Sequence, residues 1–190
     1  GPKEPLPILI GGLSRLEYRG YDSAGVAILD GEKLTIEKKE GKLQILKDHL
    51  ENSKINGNIG IGHTRWATHG VPNDVNAHPH SDNQKEFAII HNGIIENYAE
   101  MKDDLLKEDF IFESDTDTEV VAVELGNQWT GRLLETVTNV AKKLDGTYAL
   151  VVTSTKEPGT IVAGRMMSPL VLGCLLYTSD AADEAWCCFV

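Results

Sequence analysis

Ser23-Ala24-Gly25-Val26-Ala27-Ile28-Leu29, then Asp30-Gly31, then Lys33 to Lys38: this stretch reads as a strand, a tight-turn signal and a second strand. Before it, Leu6, Leu9, Ile10, Leu13 and Leu16 recur at three and four residues, one face of a helix. After it, Leu43, Leu46 and Leu50 mark a short amphipathic helix. Asn58 to Thr64, with two glycines, reads as a buried strand whose backbone packs closely against a neighbour. A polar stretch from Arg65 to Gln84 is unusually long for a loop in a compact domain, and such loops tend to carry function. Phe87 to Ile90 predicts another strand. Helices are expected at about 95–107, 118–128 and 133–144, and closing strands at 148–153 and 160–163. Strands and helices arrive in pairs, not in strict βαβ alternation. Sheet packed on sheet, flanked by helices, follows as the expected architecture.

The chain has 190 residues, 18 Lys+Arg against 29 Asp+Glu, and a formal charge of −11. Its 41% hydrophobic and 25% charged content is that of an ordinary globular chain. The acidic balance argues against a nucleic-acid surface, which needs clustered Lys and Arg. No apolar run approaches the roughly 18–20 residues of a membrane span, and no signal-peptide pattern is present. A cytoplasmic enzyme or binding domain is the expectation. The three cysteines, Cys174, Cys187 and Cys188, all lie near the end of the sequence. From Cys174 to Val190 periodicity stops and composition shifts. That run reads as an adapter-like, non-native tail, expected to be disordered, which leaves 1–173 as one domain.

Five of the six histidines, His63, His69, His78, His80 and His91, fall within 29 residues. A metal site is one reading of them. Their spacing matches no recognised zinc pattern, however, and structural hydrogen bonding is the commoner use. Arg65 and Trp66 leave the Asn58–Thr64 strand together. The arginine could grip a carboxylate through paired hydrogen bonds while the tryptophan covers a small ligand. Alternatively, Arg65 pairs with a Glu and Trp66 fills a core gap. Asn92-Gly93 could supply two donors to a developing oxyanion. Taken alone, a tight turn is the better reading of that dipeptide. Thr116 and Glu119 stand at capping-box spacing before an apolar helical run, where a carboxylate could also bind an ammonium group. Tyr18 to Gly25 is either a plain turn or a turn lining a pocket.

Together, Leu16 to Gly25, His63 to Gly70, Asn76 to His80, His91 to Tyr98, Asp115 to Val120 and Leu144 to Leu150 resemble the glutaminase domain of the glutamine–fructose-6-phosphate aminotransferase family. The resemblance covers Pro5 to Gly173. Other class II amidotransferases share the plan in different wording. The resemblance implies an α+β N-terminal-nucleophile (Ntn) fold, a four-layer α/β/β/α sandwich of mainly antiparallel sheets. It implies L-glutamine as substrate and no cofactor or metal. Fructose 6-phosphate would enter only through a separate sugar-isomerase domain of a homo-oligomeric parent. By the same resemblance Arg65 would bind the glutamine α-carboxylate and Asp117 its α-ammonium. Asn92 and the Gly93 N–H would form the oxyanion hole, and Trp66, Thr68 and His69 would belong to a closing loop. His78 would brace that loop, and Arg19 would lie near the nucleophile.

In that family the nucleophile is a cysteine at the mature amino terminus, whose own α-amine, titrating near 7.7–8.0, serves as base. That cysteine and a short opening strand are expected before Gly1, and sugar-isomerase sequence after Gly173. None of Cys174, Cys187 or Cys188 could substitute, since each lies within the chain and has no free α-amine. The 190 residues are therefore expected to form a glutaminase site that lacks its nucleophile.

Overall fold

The computed structural model describes residues 4–51, 53–66 and 70–173. The 174–190 tail, and Thr68 and His69 of the long loop, lie outside the described residues. Helix α1 (Pro5–Leu16) follows the expected apolar spacing, with Pro5 in its first turn, where a missing N–H costs nothing. Strands β1 (Ser23–Asp30) and β2 (Lys33–Glu40) form the hairpin. Asp30 pairs with Lys33, so the turn residues are Gly31 and Glu32, one position later than the Asp30-Gly31 signal. Gly31, at φ +56°, takes the left-handed conformation that such a turn demands.

The remaining elements are α2 (Leu43–Leu50), β3 (Ile59–Arg65), β4 (His80–Ser81), β5 (Phe87–Ile95), α3 (Tyr98–Lys107), α4 (Asp117–Asn127), α5 (Leu133–Ala141), β6 (Gly146–Ser154) and β7 (Ile161–Met166). They make two antiparallel sheets, ordered β2-β1-β3 and β4-β5-β6-β7.

The period of two along each strand sorts side chains into layers. On the first sheet, Ala24 and Val26 face α1 and α2, where Leu13, Leu43 and Leu46 cover them. The opposite face sends Ala27 and Ile61 against Ala88, Ile90 and Val151 of the second sheet. The other side of that sheet packs Phe87, Ile89, Ile95, Leu150 and Val152 under Val121, Leu125, Leu133 and Val137 of α4 and α5. Helix, sheet, sheet, helix is therefore the order of layers. The glycines of β3 do what their spacing suggested. A Cβ on Gly60 would lie 2.8 Å from Leu9 of α1, and one on Gly62 3.2 Å from Leu13, so their absence lets α1 settle onto the strand.

Two features position the site. The long loop is stapled to β2: the Lys38 ammonium donates to the Val75 and Ala77 carbonyls at 2.8 and 2.9 Å, and Lys39 pairs with Asp74 at 2.6 Å. Helix α4 is buried almost all round, because Val120 and Val123 pack on α3 while Val121 and Leu125 pack on the sheet. Thr116 is its N-cap, accepting from the Glu119 N–H at 3.4 Å. The second half of a capping box does not form. Glu119 instead accepts from the Glu113 and Ser114 N–H groups and the Ser114 hydroxyl, anchoring the segment ahead of the helix.

Candidate active site

A cavity of about 760 Å³ opens where the end of β3, the middle of β5, the start of α4 and residues 168–171 meet. Arg19, Arg65, Trp66, His78, Asn92, Gly93 and Asp117, all the described candidates from the sequence, line it. They come from five separate stretches of chain, and the two-sheet packing brings them together.

Two opposite charges are buried in its wall. Arg65, the last residue of β3, is 4% exposed, and Asp117, the first of α4, is 5% exposed. The Ile95 N–H donates to Asp117 Oδ2 at 2.9 Å, which ties the carboxylate to the end of β5. Arg65 Nη2 donates to the Gly70 carbonyl at 3.4 Å. Burial pulls the Arg65 guanidinium below its ordinary pKa, while the negative charges of Asp22 and Asp117 work against that shift. The acidic charges acting on Arg65 are these two aspartates, not a Glu. Trp66 does not fill a core gap: it is 61% exposed at the cavity, edge-on to Tyr21 with ring centres 5.7 Å apart.

Asn92-Gly93 is not a turn. Strand β5 runs through both residues, with Asn92 opposite Ala149 and Gly93 opposite Tyr148. Gly93 sits at φ +131°, and a Cβ there would collide with the Thr147 carbonyl, so position 93 requires glycine. The turn reading failed because Asn-Gly signals a turn only where no partner strand lies alongside. His63 Nε2 lies 3.0 Å from Asn92 Oδ1. An amide oxygen only accepts, so His63 donates, leaving the amide hydrogens as donors for another group.

His63, His78, His80 and His91 are all buried. Each has a polar partner: His63 has Asn92, His80 has the Thr116 hydroxyl at 3.0 Å, and His78 and His91 share the Thr118 hydroxyl, each at 2.9 Å. Burial pushes His63 down to about 4, and holds His78 and His80 well below the ordinary imidazole value. Among the described residues no three His, Cys, Asp or Glu side chains are grouped as a metal site requires. Sequence reasoning assigned nothing to Thr118, to the His63–Asn92 contact or to Asp22. Thr118 and Asp22 lay inside quoted motifs, but only tertiary contact distinguishes them from their neighbours.

Comparison with known proteins identifies the family and the fold. Residues 46–177 match the glutamine amidotransferase domain family. The chain is 52% identical over 168 residues to the glutamine–fructose-6-phosphate aminotransferase (isomerizing) of Aquifex aeolicus, and 51% identical over 173 residues to that of Clostridium acetobutylicum. Those alignments take in 88% and 91% of this chain but 28% of each relative. Among solved structures, the glutamine phosphoribosylpyrophosphate amidotransferase of B. subtilis, complexed with ADP and GMP, is 33% identical. It superposes with a TM-score of 0.66 over 77% of this chain and 32% of its own. A structure described as the allosteric regulatory enzyme of purine biosynthesis gives 30% identity and a TM-score of 0.68 over 78% of this chain and 33% of its own. The layered sandwich is the Ntn amidotransferase fold. From the family match and the half-identical relatives together, the chain belongs to the glutamine amidotransferase family.

Proposed function

We propose that this chain is the glutamine-handling portion of an enzyme that makes glucosamine 6-phosphate from fructose 6-phosphate and glutamine, the entry to amino-sugar synthesis. The observation that carries the proposal is the pair of buried opposite charges, Arg65 and Asp117, on the wall of one cavity beside Asn92-Gly93. Free glutamine is a zwitterion with a side-chain amide. Arg65 would hold its α-carboxylate and Asp117 its α-ammonium, which would extend the amide toward Asn92 and Gly93. The Asn92 amide and the Gly93 N–H would stabilise the oxyanion formed when a thiolate attacks. Trp66, with Thr68 and His69, would close over the ligand to exclude water, with His78 bracing that loop and Arg19 near the nucleophile.

Support for the particular acceptor sugar comes from the relatives, which are aminotransferases acting between glutamine and fructose 6-phosphate by name. Fructose 6-phosphate would bind a further sugar-isomerase domain of a cytoplasmic homo-oligomer. Another class II amidotransferase is the second reading, supported by the likeness to the phosphoribosylpyrophosphate enzyme at 33% identity.

Attack on the amide needs an N-terminal cysteine, and no cysteine precedes Cys174 in these 190 residues. A polypeptide of this sequence should therefore bind L-glutamine without releasing glutamate. Calorimetry on the chain should give glutamine binding that Arg65→Ala abolishes; binding indifferent to that change would refute the site. A chain extended to begin with cysteine and an opening strand should release glutamate from glutamine.

A further inference from the structure

Thr118 is fully buried in the first turn of α4, and its hydroxyl meets three polar groups at once. His78 Nε2 and His91 Nδ1 each lie 2.9 Å away, and the hydroxyl donates to Asp117 Oδ1 at 3.3 Å. A hydroxyl has one hydrogen and two lone pairs. A carboxylate can only accept, so the hydrogen goes to Asp117 and both lone pairs receive imidazole N–H groups. The hydroxyl is then saturated, and each imidazole is fixed in one tautomer. The rings come from distant segments, His78 from the long loop and His91 from β5.

We infer that Thr118 is the positioning residue that holds the Asp117 carboxylate in place for the ammonium group of the amino-acid substrate, an inference that rests on the function proposed above. Asp117 is restrained at both oxygens, Oδ1 by Thr118 and Oδ2 by the Ile95 N–H. A carboxylate at the first position of a helix would otherwise sample several rotamers, and fixing it beforehand removes that ordering cost from binding. Through His78 and His91 the same hydroxyl connects the loop, the strand and the helix that frame the cavity. Thr118 acts through Asp117 and takes no part in bond making.

The test separates positioning from folding by changing the ligand. L-Glutamine and 4-carbamoylbutanoate, which is glutamine without its α-amino group, are titrated calorimetrically into the 190-residue chain and its variants. The unsubstituted chain should prefer glutamine, and Asp117→Asn should abolish the preference. Thr118→Val keeps shape without the hydroxyl and should cut the preference about tenfold, the scale of one hydrogen bond to a charged group. Thr118→Ser should restore it to within about twofold. If Thr118→Val does not fold, Thr118→Ala is read in the same way. Equal weakening of both ligands by Thr118→Val, with the preference intact, overturns the positioning role while leaving Asp117 as the ammonium partner. A preference that survives Asp117→Asn, or is missing from the unsubstituted chain, overturns the reading of Asp117 and the inference with it.

Discussion

Lowering the pH from 7.5 to 5.5 should destabilise this domain by up to about 4 kcal/mol through three buried histidines. Burial pushes His63 down to about 4 and holds His78 and His80 well below the ordinary value near 6.5. Folding therefore holds all three toward the neutral form, and His63 stays neutral at pH 5.5. Unfolding returns each ring to water and to a pKa of about 6.5. The unfolded chain then binds more protons below that value, and stability falls as pH falls. A ring that stays neutral contributes about 1.4 kcal/mol one pH unit below its unfolded pKa, so three together contribute at most about 4 kcal/mol. The loss begins near pH 6.5 and continues until the folded rings also protonate, for His63 at about 4. Asp82 works the other way, since burial raises its carboxyl, and it offsets part of the loss at the acidic end. Against a typical total of about 5–15 kcal/mol, a change of this size is readily measured. Equilibrium urea denaturation at the two pH values, followed by far-UV circular dichroism, measures it. His80→Gln removes one titrating ring while keeping a polar partner for the Thr116 hydroxyl, and should lessen the drop by up to about a third. Equal stability at both pH values, or an undiminished drop in His80→Gln, would refute the buried neutral histidines.

Other substitutions test the site and its supports. Arg65→Lys should weaken glutamine binding at least about tenfold in calorimetry, because an ammonium lacks the paired geometry of a guanidinium; unchanged affinity would contradict carboxylate binding there. Gly93→Ala places a Cβ against the Thr147 carbonyl at φ +131° and should cost about 3 kcal/mol or more, seen as a lowered Tm. Thr116→Ala removes both the N-cap of α4 and the partner of His80, so about 2 kcal/mol should be lost. A denaturation midpoint unchanged in that variant would show that Glu119 alone anchors the helix start.

The elements of regular structure were largely legible because each follows a local rule. Leucine spacing marked α1 and α2, and the run Ser23 to Leu29 marked β1. Two kinds of detail were not legible. β4 is only two residues long, His80 and Ser81, and exists because Ile89 and Ala88 of β5 lie beside it. Glu119 has capping-box spacing, yet its carboxylate turns to the 113–114 backbone, a choice made by the path of the preceding segment.

By itself the sequence showed which residue types could bind a carboxylate, an ammonium group or an oxyanion: an Arg at a strand end, a carboxylate at a helix start, and an Asn beside a Gly; glutamine as the ligand came from the family resemblance. Chemical capacity belongs to residue type, so it can be read without a fold. Only the tertiary structure decided which capacity each residue exercises. Asn92-Gly93 alone favours a turn, and the pairing of β5 with β6 makes it strand. The histidine run left metal binding open. Folding buries His63, His78, His80 and His91 and gives each an amide or hydroxyl partner. Arg65 and Asp117 are 52 positions apart, and they line one cavity because two sheets stack so that β3 and the start of α4 meet. Burial and proximity are properties of the packed chain, and they decide whether a side chain donates, accepts, carries charge or stays neutral.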